Sequence, residues 1–266
     1  MRVGITVPQF KDDPAPAVDV ARRAEAAGLD GVFVFDHLWP LGRPERPVLH
    51  CLPLLGALGA ETSRVTLGPL VTRVSVLPSP VVVNSLVTLH RMFEGRFVAG
   101  LGTGDSLNRA ENEAYGLGFG TVAERVQDLR EICRELRAAG VRTWVGGMSP
   151  AVRRAAAEEA DGWNGWGSTD PTEFARAAAE VTSLAPTAEV TWGGQVLIGR
   201  TPEVAMAKLA RAGDRAGIVH GTVDDLCNHF EALAAVGASW AVCAPLDVGT
   251  DPESVELVAE AAGLAR

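Results

Sequence analysis

Gly31-Val32-Phe33-Val34-Phe35-Asp36-His37-Leu38-Trp39-Pro40 sets a short apolar run directly against an acid, an imidazole and an indole. The run lacks polar alternation, the pattern of a parallel strand covered on both faces. Side chains capable of chemistry stand where it stops, which marks its C-terminal edge as a candidate site. Asp36 and His37 are adjacent, so if extended geometry persists they point to opposite sides and do not form a ready-made dyad.

Working outward, strands are expected at 2–8, 31–35, 65–71, 96–101, 142–146, 160–164, 189–198 and 239–244. Between them lie segments with apolar residues at three and four spacing, as in Ala17-Val18-Val20-Ala21-Ala24 and Val122-Val126-Leu129-Ile132-Cys133-Leu136. That spacing gives amphipathic helices with one apolar stripe. Strand and helix alternate from end to end, and eight such units in 266 residues favour a closed α/β barrel, the (β/α)8 or TIM barrel, over an open sheet. One irregularity is the segment 200–221, which carries an additional helix. With no linker, low-complexity tract or fixed-period repeat, residues 1–266 are expected to form a single domain.

Composition narrows the function. A hydrophobic content of 47% supports one large core, and the formal charge of −9 repels a nucleic-acid backbone, with no Lys/Arg stripe to reverse it locally. No apolar run approaches ~18 residues and no signal-like segment opens the chain, so a cytoplasmic protein with no membrane partner is expected. Cys51, Cys133, Cys227 and Cys243 are scattered without zinc spacing, and no metal is expected. Cys51 beside His50 reads as a packed thiol. Lys11 and Lys208 are the only lysines in an Ala-, Gly- and Arg-rich chain, the mark of a GC-rich genome.

In a barrel, function belongs where the βα loops converge. Besides the opening stretch, such ends carry Leu70-Val71-Thr72-Arg73, Gly100-Leu101-Gly102-Thr103-Gly104-Asp105-Ser106-Leu107-Asn108 and Val145-Gly146-Gly147-Met148-Ser149-Pro150. The last has the form of an anion-binding helix start, with Ser149 as N-cap and Pro150 in the first turn, although an ordinary tight turn has the same form. The second is not a dinucleotide fingerprint, since Asp105 stands where G-x-G-x-x-G needs its third glycine; Asp105 and Asn108 are either presented on a glycine hinge or tied into an Asx-type turn. His37 is raised by its company, whereas His90, His220 and His229 default to packing or surface. Trp163 and Trp166 fit an aromatic pocket or, more simply, core filling.

Taken in order, these pieces resemble the luciferase-like monooxygenase superfamily. They are Ala24-Glu25-Ala26-Ala27-Gly28-Leu29-Asp30 before Asp36-His37, Arg64-Val65-Thr66-Leu67-Gly68, Gly95 through Gly104, and Trp144 through Pro150 with Ala160-Asp161-Gly162-Trp163. Asp36-His37 and Gly102-Thr103-Gly104-Asp105-Ser106-Leu107-Asn108 most resemble the branch that uses 8-hydroxy-5-deazaflavin (coenzyme F-420), where a glutamate usually occupies the place of Asp105 and the tryptophan lies further beyond the Asp-His pair than Trp39 does.

The resemblance implies an oxidoreductase that transfers a hydride between the deazaflavin and a small organic substrate. It implies that Asp36 contacts the coenzyme ring region, that His37 moves the proton and that Asp105 is the second acid/base candidate. Leu70, Val71 and Thr72 would lie behind the ring, with a non-proline cis peptide around Pro69-Leu70-Val71-Thr72. Thr103, Gly104, Asn108, Gly146, Gly147 and Ser149 would hold the ribityl phosphate tail, and the chain would be a homodimer. Such an acidic tail needs local positive charge, for which Arg73 and Arg109, both at expected strand-end loops, are the candidate partners. The alternatives are a monooxygenase using reduced FMN, a non-catalytic flavin or deazaflavin carrier, and a barrel without redox coenzyme.

Overall fold

The structure, a computed structural model, describes residues 1–40, 42–213 and 215–264. Its strands are β1 (Arg2–Thr6), β2 (Gly31–Val34), β3 (Thr66–Pro69), β4 (Thr72–Arg73), β5 (Ala99–Gly102), β6 (Thr143–Gly146), β7 (Gly162–Trp166), β8 (Glu189–Ile198), β9 (Ile218–Gly221) and β10 (Trp240–Pro245). The helices are α1 (Ala15–Ala26), α2 (Cys51–Glu61), α3 (Ser79–Met92), α4 (Arg109–Ala114), α5 (Val122–Ala138), α6 (Pro150–Glu159), α7 (Pro171–Leu184), α8 (Pro202–Ala212), α9 (Val223–Ala235) and α10 (Glu253–Ala261), with a 3-10 turn at Ser106–Asn108.

The strands pair in parallel in the order β3-β2-β1-β10-β8-β7-β6-β5-β4. A parallel bridge between Leu67 and Phe97 closes the circle, with Leu67 N–H donating to Arg96 O at 2.7 Å and Val98 N–H to Leu67 O at 2.9 Å. β3 and β4 occupy one barrel position, divided by a cis peptide bond between Leu70 and Val71. The barrel therefore has the eight positions expected from the sequence. The extra segment forms α8 and β9; β9 pairs with the outer half of β8, from Gln195↔Ile218 to Ile198↔Gly221. Lys208 anchors α8: its ammonium donates to Ile198 O at 2.8 Å and pairs with Asp247 and Asp251 at 2.7 and 2.9 Å.

Two apolar layers follow from the strand period. Inside the barrel, Phe33, Leu70, Val98, Trp144, Trp240 and Val242 pack together, and Val71 and Trp166 close the stack toward the C-terminal end. Alternate residues point outward: Ala17, Val20, Ala21 and Ala24 of α1 and Leu129, Ile132, Cys133 and Leu136 of α5 meet them from the helix ring. Burying a large apolar side chain contributes about 1.5–3 kcal/mol, so the filled interior makes the barrel a core and not a pore. Val122, placed by its spacing on the α5 stripe, is 60% exposed because it is the first residue after the Thr121 cap. Thr121 and Glu124 start α5 with a reciprocal pair of bonds, Glu124 N–H to Thr121 Oγ1 at 3.2 Å and Thr121 N–H to Glu124 Oε2 at 2.7 Å.

Strand boundaries shift where polar side chains intervene. β7 begins at Gly162 and not at 160, because Ala160 still caps α6 and the Asp161 carboxylate accepts from Thr143 N–H at 2.7 Å.

Candidate active site

The C-terminal mouth is assembled from the ends of β1, β2, β4 and β5 and from α4. Gln9, buried just past β1, uses its whole amide to hold the end of β2 extended: Oε1 accepts from Phe35 N–H at 2.8 Å, and Nε2 donates to Phe35 O and Leu49 O, each at 2.7 Å. From that extension Asp36 and His37 make separate contacts, the first with Arg73 and the second with Glu111.

Asp36 is buried. Its Oδ2 accepts from Arg73 N–H at 2.9 Å, and Arg73 Nε donates back to Asp36 O at 2.7 Å. Burial pushes the Asp36 carboxyl above its ordinary range, against the pull of the Arg73 hydrogen bond and charge.

His37 faces the mouth with its side chain 19% exposed. Its Nδ1 lies 3.0 Å from Glu111 Oε1, while Nε2 has no hydrogen bond among the described residues. Around it stand Phe10 and Phe35, with ring centroids 6.0 and 6.3 Å away, and Trp166 meets Phe35 edge-on at 5.5 Å.

Glu111, on α4, is fully buried. Oε2 takes the Arg73 guanidinium at 2.8 Å and the Asn108 amide at 3.3 Å; Oε1 takes the Trp39 N–H at 3.4 Å besides His37. Burial alone would raise this carboxyl. The hydrogen bond and charge of His37, the Arg73 charge and the Trp39 N–H together outweigh it and hold the group below the usual carboxylate range.

The Gly102-Thr103-Gly104-Asp105 loop turns at Gly104 (φ 68°) into a capped 3-10 turn. Asp105 Oδ1 accepts from Leu107 N–H at 2.8 Å, and Asn108 Oδ1 accepts from Asp105 N–H at 3.0 Å. Both amide ends of Asn108 are thus used within the chain. Arg125 stitches the loop from behind, with Nε on Thr103 O at 2.9 Å. On the neighbouring edge, Ser149 caps α6 by accepting from Val152 N–H at 3.4 Å, with Pro150 in the first turn, as the sequence indicates. Gly147 precedes it at φ 140°.

Val71, just past the cis bond, lies over two glycines. A methyl group at Gly102 would sit 2.4 Å from Val71 Cγ2, and one at Gly146 2.7 Å from Val71 Cγ1. Only glycine at both positions lets the valine lie flat across the ends of β5 and β6. Beside it, Thr72 Oγ1 and Arg73 Nη2 are buried without a partner among the described residues.

A model of the luciferase-like monooxygenase family matches residues 1–262. The chain belongs to that family.

The chain is 37% identical over 132 residues to an F-420-dependent glucose-6-phosphate dehydrogenase of Nakamurella multipartita, and 36% identical over 132 residues to the protein of the same name from Microbacterium testaceum. Each match covers 49% of this chain and 38% of the relative, so the shared stretch spans well under half of those proteins. The fold matches more completely. An F-420-dependent secondary alcohol dehydrogenase in complex with an F-420–acetone adduct superposes with TM-score 0.78 at 15% identity over 100% of both chains. The coenzyme F-420-dependent tetrahydromethanopterin reductase of Methanopyrus kandleri gives 0.75 at 17% over 98% of both, and the EDTA monooxygenase of Chelativorans gives 0.80 at 12% over 100% of this chain and 95% of that one.

Several side chains that the family resemblance places in the site sit elsewhere or are otherwise engaged. Arg73, read as a partner for an anionic tail, is buried between Asp36 and Glu111. Arg109 is exposed, stacked over Phe119 with 4.9 Å to the centroid. Trp39 packs on Tyr115 at 5.9 Å, and Tyr115 Oη donates to Leu38 O at 3.3 Å. The two tryptophans divide: Trp163 is outer core against Phe174, and Trp166 lines the mouth. Cys51 is buried, its thiol pushed well up by burial and by the Asp36 charge, so it packs as a small apolar group. A groove of about 630 Å³ at the opposite, N-terminal face is lined by Arg137, Arg142, Glu158, Asp161 and Glu189, but Arg142 is paired with Glu189 and Arg137 donates to Ala160 O.

Glu111 and Gln9 were not legible as site residues. α4 is inside out: Glu111 and Asn112 are its buried residues, while Ala110 and Ala114 face solvent. An apolar-stripe search passes over such a helix. The available signal is Asn108, Glu111 and Asn112 at three and four spacing directly after a glycine loop, which puts three polar side chains on one helical face.

Proposed function

We propose that this luciferase-like protein is a deazaflavin (coenzyme F-420)-dependent oxidoreductase that moves a hydride between the coenzyme and a small organic substrate. The observation that carries the reading is His37: an imidazole with Nδ1 held by a buried carboxylate and Nε2 open to an aromatic-walled mouth. An imidazole with one nitrogen held and the other open can take a proton from, or give one to, a bound molecule. The names of the partial relatives support the coenzyme.

The residues present fit a flat, tailed ring. Val71 offers a platform across Gly102 and Gly146, and the unpartnered Thr72 Oγ1 and Arg73 Nη2 offer donors beside it. Gly146, Gly147 and Ser149 at the start of α6 would receive an anionic tail with backbone N–H groups, together with Thr103 and Gly104 opposite. Asn108, engaged at both ends, would shape this edge and not bind the tail itself. Leu70 and Val71 would support the ring from below, and Asp36 would position it through Arg73. When bound, the deazaflavin supplies the two-electron acceptor or donor at C5. His37 would take or give the accompanying proton, while Asp105, with Oδ1 committed to the Leu107 N–H, keeps Oδ2 as a second acid/base candidate at the rim.

We further propose that residues 1–266 act as one barrel domain and that the protein is a cytoplasmic homodimer. The four cysteines are all free thiols, which suits a reducing compartment. No helix among the described residues is long and apolar enough to cross a membrane. Up to their last residues the outer faces of α2 and α3 carry no charge: Glu61 and Arg91 stand at the C-terminal ends, but no Asp, Glu, Lys or Arg occurs in 51–60 or 79–90, and Pro53, Ala57, Ala60, Pro80, Val81, Asn84 and Thr88 are exposed there.

Anaerobic titration with oxidised F-420 and with FMN, followed by tryptophan fluorescence, tests the reading. Preferential binding of F-420 at micromolar affinity or better, followed by substrate-dependent bleaching of its absorbance, is expected. Preference for FMN with oxygen-dependent turnover would replace it by the monooxygenase reading, and tight F-420 binding with no turnover on any alcohol or carbonyl substrate would leave a carrier.

A further inference from the structure

Glu111 neither takes nor gives a proton in the scheme above, yet it is a fully buried carboxylate at the mouth and touches the histidine that scheme depends on. We propose that Glu111 is the positioning residue for proton transfer: locked by Arg73 and Asn108, its carboxylate takes the Nδ1–H of His37 and so presents Nε2 of the neutral imidazole, unprotonated, to the substrate hydroxyl. This rests on the oxidoreductase reading.

The donor count fixes the tautomer. Every other contact of Glu111 is with a donor: the Arg73 guanidinium at 2.8 Å, the Asn108 amide at 3.3 Å and the Trp39 N–H at 3.4 Å. A carboxylate surrounded in this way is ionised and can only accept. The 3.0 Å contact with His37 Nδ1 is therefore an N–H donating to Oε1, and the neutral ring must carry its lone pair on Nε2, the nitrogen with no bond to the chain. Geometry is held as firmly as protonation. Arg73 pins Oε2 and is itself fixed by two bonds to Asp36, Asn108 is tied into the glycine-loop turn, and Gln9 holds the strand end from which His37 projects.

The step balances. In the oxidative direction the substrate carbinol C–H bond would break with its electron pair, the oxidised deazaflavin, when bound, being the two-electron acceptor that takes the hydride. The O–H proton goes to His37 Nε2, and the C–O bond becomes a carbonyl. The imidazolium formed faces the Glu111 carboxylate across its Nδ1–H, which offsets the new charge without any group having to move. In reduction His37 returns the proton from the same nitrogen.

Substitution E111Q separates positioning from packing, since glutamine keeps the size. Its single carbonyl oxygen cannot serve both sides; on one side stand two donors, the Asn108 amide and Arg73 Nη1, the latter shared with Asn112 Oδ1 at 3.2 Å, so the oxygen stays there and the amide N–H group turns to His37 Nδ1 and forces the proton onto Nε2. Two-dimensional ¹H–¹⁵N spectra of the imidazole nitrogens, recorded on the coenzyme-free protein, read this directly. The wild type is expected to show His37 protonated at Nδ1, and E111Q at Nε2. Turnover in E111Q is expected to fall about 100-fold with coenzyme affinity changed less than about threefold, and E111D, which keeps the carboxylate, is expected to restore part of the rate.

A wild-type His37 protonated at Nε2 would overturn the proposal whatever the variants do, as would an E111Q protein with the tautomer switched and turnover unchanged. If no coenzyme binds, the spectra still decide the tautomer, so failure of the oxidoreductase reading is distinguishable from failure of the role given to Glu111.

Discussion

The Arg73 guanidinium lies 2.8 Å from the Glu111 carboxylate, and the two side chains are 4% and 0% exposed. The same arginine holds Asp36 by its backbone N–H and Nε, so one residue beyond the cis bond joins the end of β2 to the helix after β5. A buried pair of this kind adds little over an apolar equivalent, but loss of one partner strands the other charge. Substitution R73M is expected to cost about 3–5 kcal/mol, measured by urea unfolding. R73K keeps a charge but loses the fork that spans both acids, and should fall between R73M and wild type. A loss under about 1 kcal/mol for R73M, the range of an exposed pair, would show that Glu111 finds other compensation.

The same pair sets a pH dependence. The Glu111 carboxyl is held below its ordinary range in the folded chain, so the unfolded chain binds its proton first. Its contribution is therefore present in full above the ordinary carboxylate range, including at neutral pH, and is lost as pH falls through the folded value. Glu25 and Glu159 shift in the same direction, the first through backbone N–H groups of residues 63–65 that overcome its burial, the second chiefly through Arg134. Unfolding midpoints should decline steadily below about pH 5, and the decline should be shallower in E111Q. An equal slope in both proteins would remove Glu111 from the acid response.

Val71 and Gly102 offer a steric test of the platform. With a Cβ only 2.4 Å from Val71 Cγ2, alanine at 102 must push the valine off the glycines. G102A is expected to lose about 1–3 kcal/mol and to bind coenzyme more weakly. The double substitution G102A/V71A makes room again and should recover stability while affinity stays low, because the platform is gone. Recovery of both, measured by thermal unfolding and by coenzyme titration, would show that Val71 does not support the ring.

Much of this architecture is legible in the chain because strands and helices declare themselves by period. The unalternated run at 31–35 placed β2, the eight-fold alternation placed the barrel, and the glycine turns and Ser149 cap marked loops at the mouth. What stayed hidden is what periodicity does not encode. Closure of the barrel rests on backbone bonds of Leu67 with Arg96 and Val98, which leave no sequence pattern. Arg73 looked like a free cation because charge alone does not tell that two carboxylates 38 and fewer positions away enclose it. Glu111 sits on a helix of six residues whose buried face is polar, so the rule that buried means apolar hides it.

The charge-free stretches 51–60 of α2 and 79–90 of α3 lead to the last expectation. Every other long helix of the chain bears charged residues on its outer side, for example Arg22 and Arg23 on α1, Arg130 and Arg134 on α5, and Glu180 on α7, each in an ion pair at the surface. Between Cys51 and Ala60 and between Ser79 and His90 there is none, and the exposed positions are small or apolar, Pro53, Ala57, Ala60 and Val81 among them. Small residues on adjacent helices let two copies approach closely, and an interface centre depleted of charge is the compositional mark of such contacts. A two-fold interface carries each substituted position twice, so every glutamate introduced there buries two like charges in one apolar contact. The double substitution A57E/V81E is therefore expected to convert a dimer into a folded monomer, read by light scattering after size-exclusion chromatography, with far-ultraviolet circular dichroism unchanged. The glutamates would lie in solvent in the monomer and cost its fold little, so loss of association with retained helix content is the signature. A wild type that elutes as a monomer at micromolar concentration, or a double variant that remains dimeric, would show that this face does not join two copies of the chain.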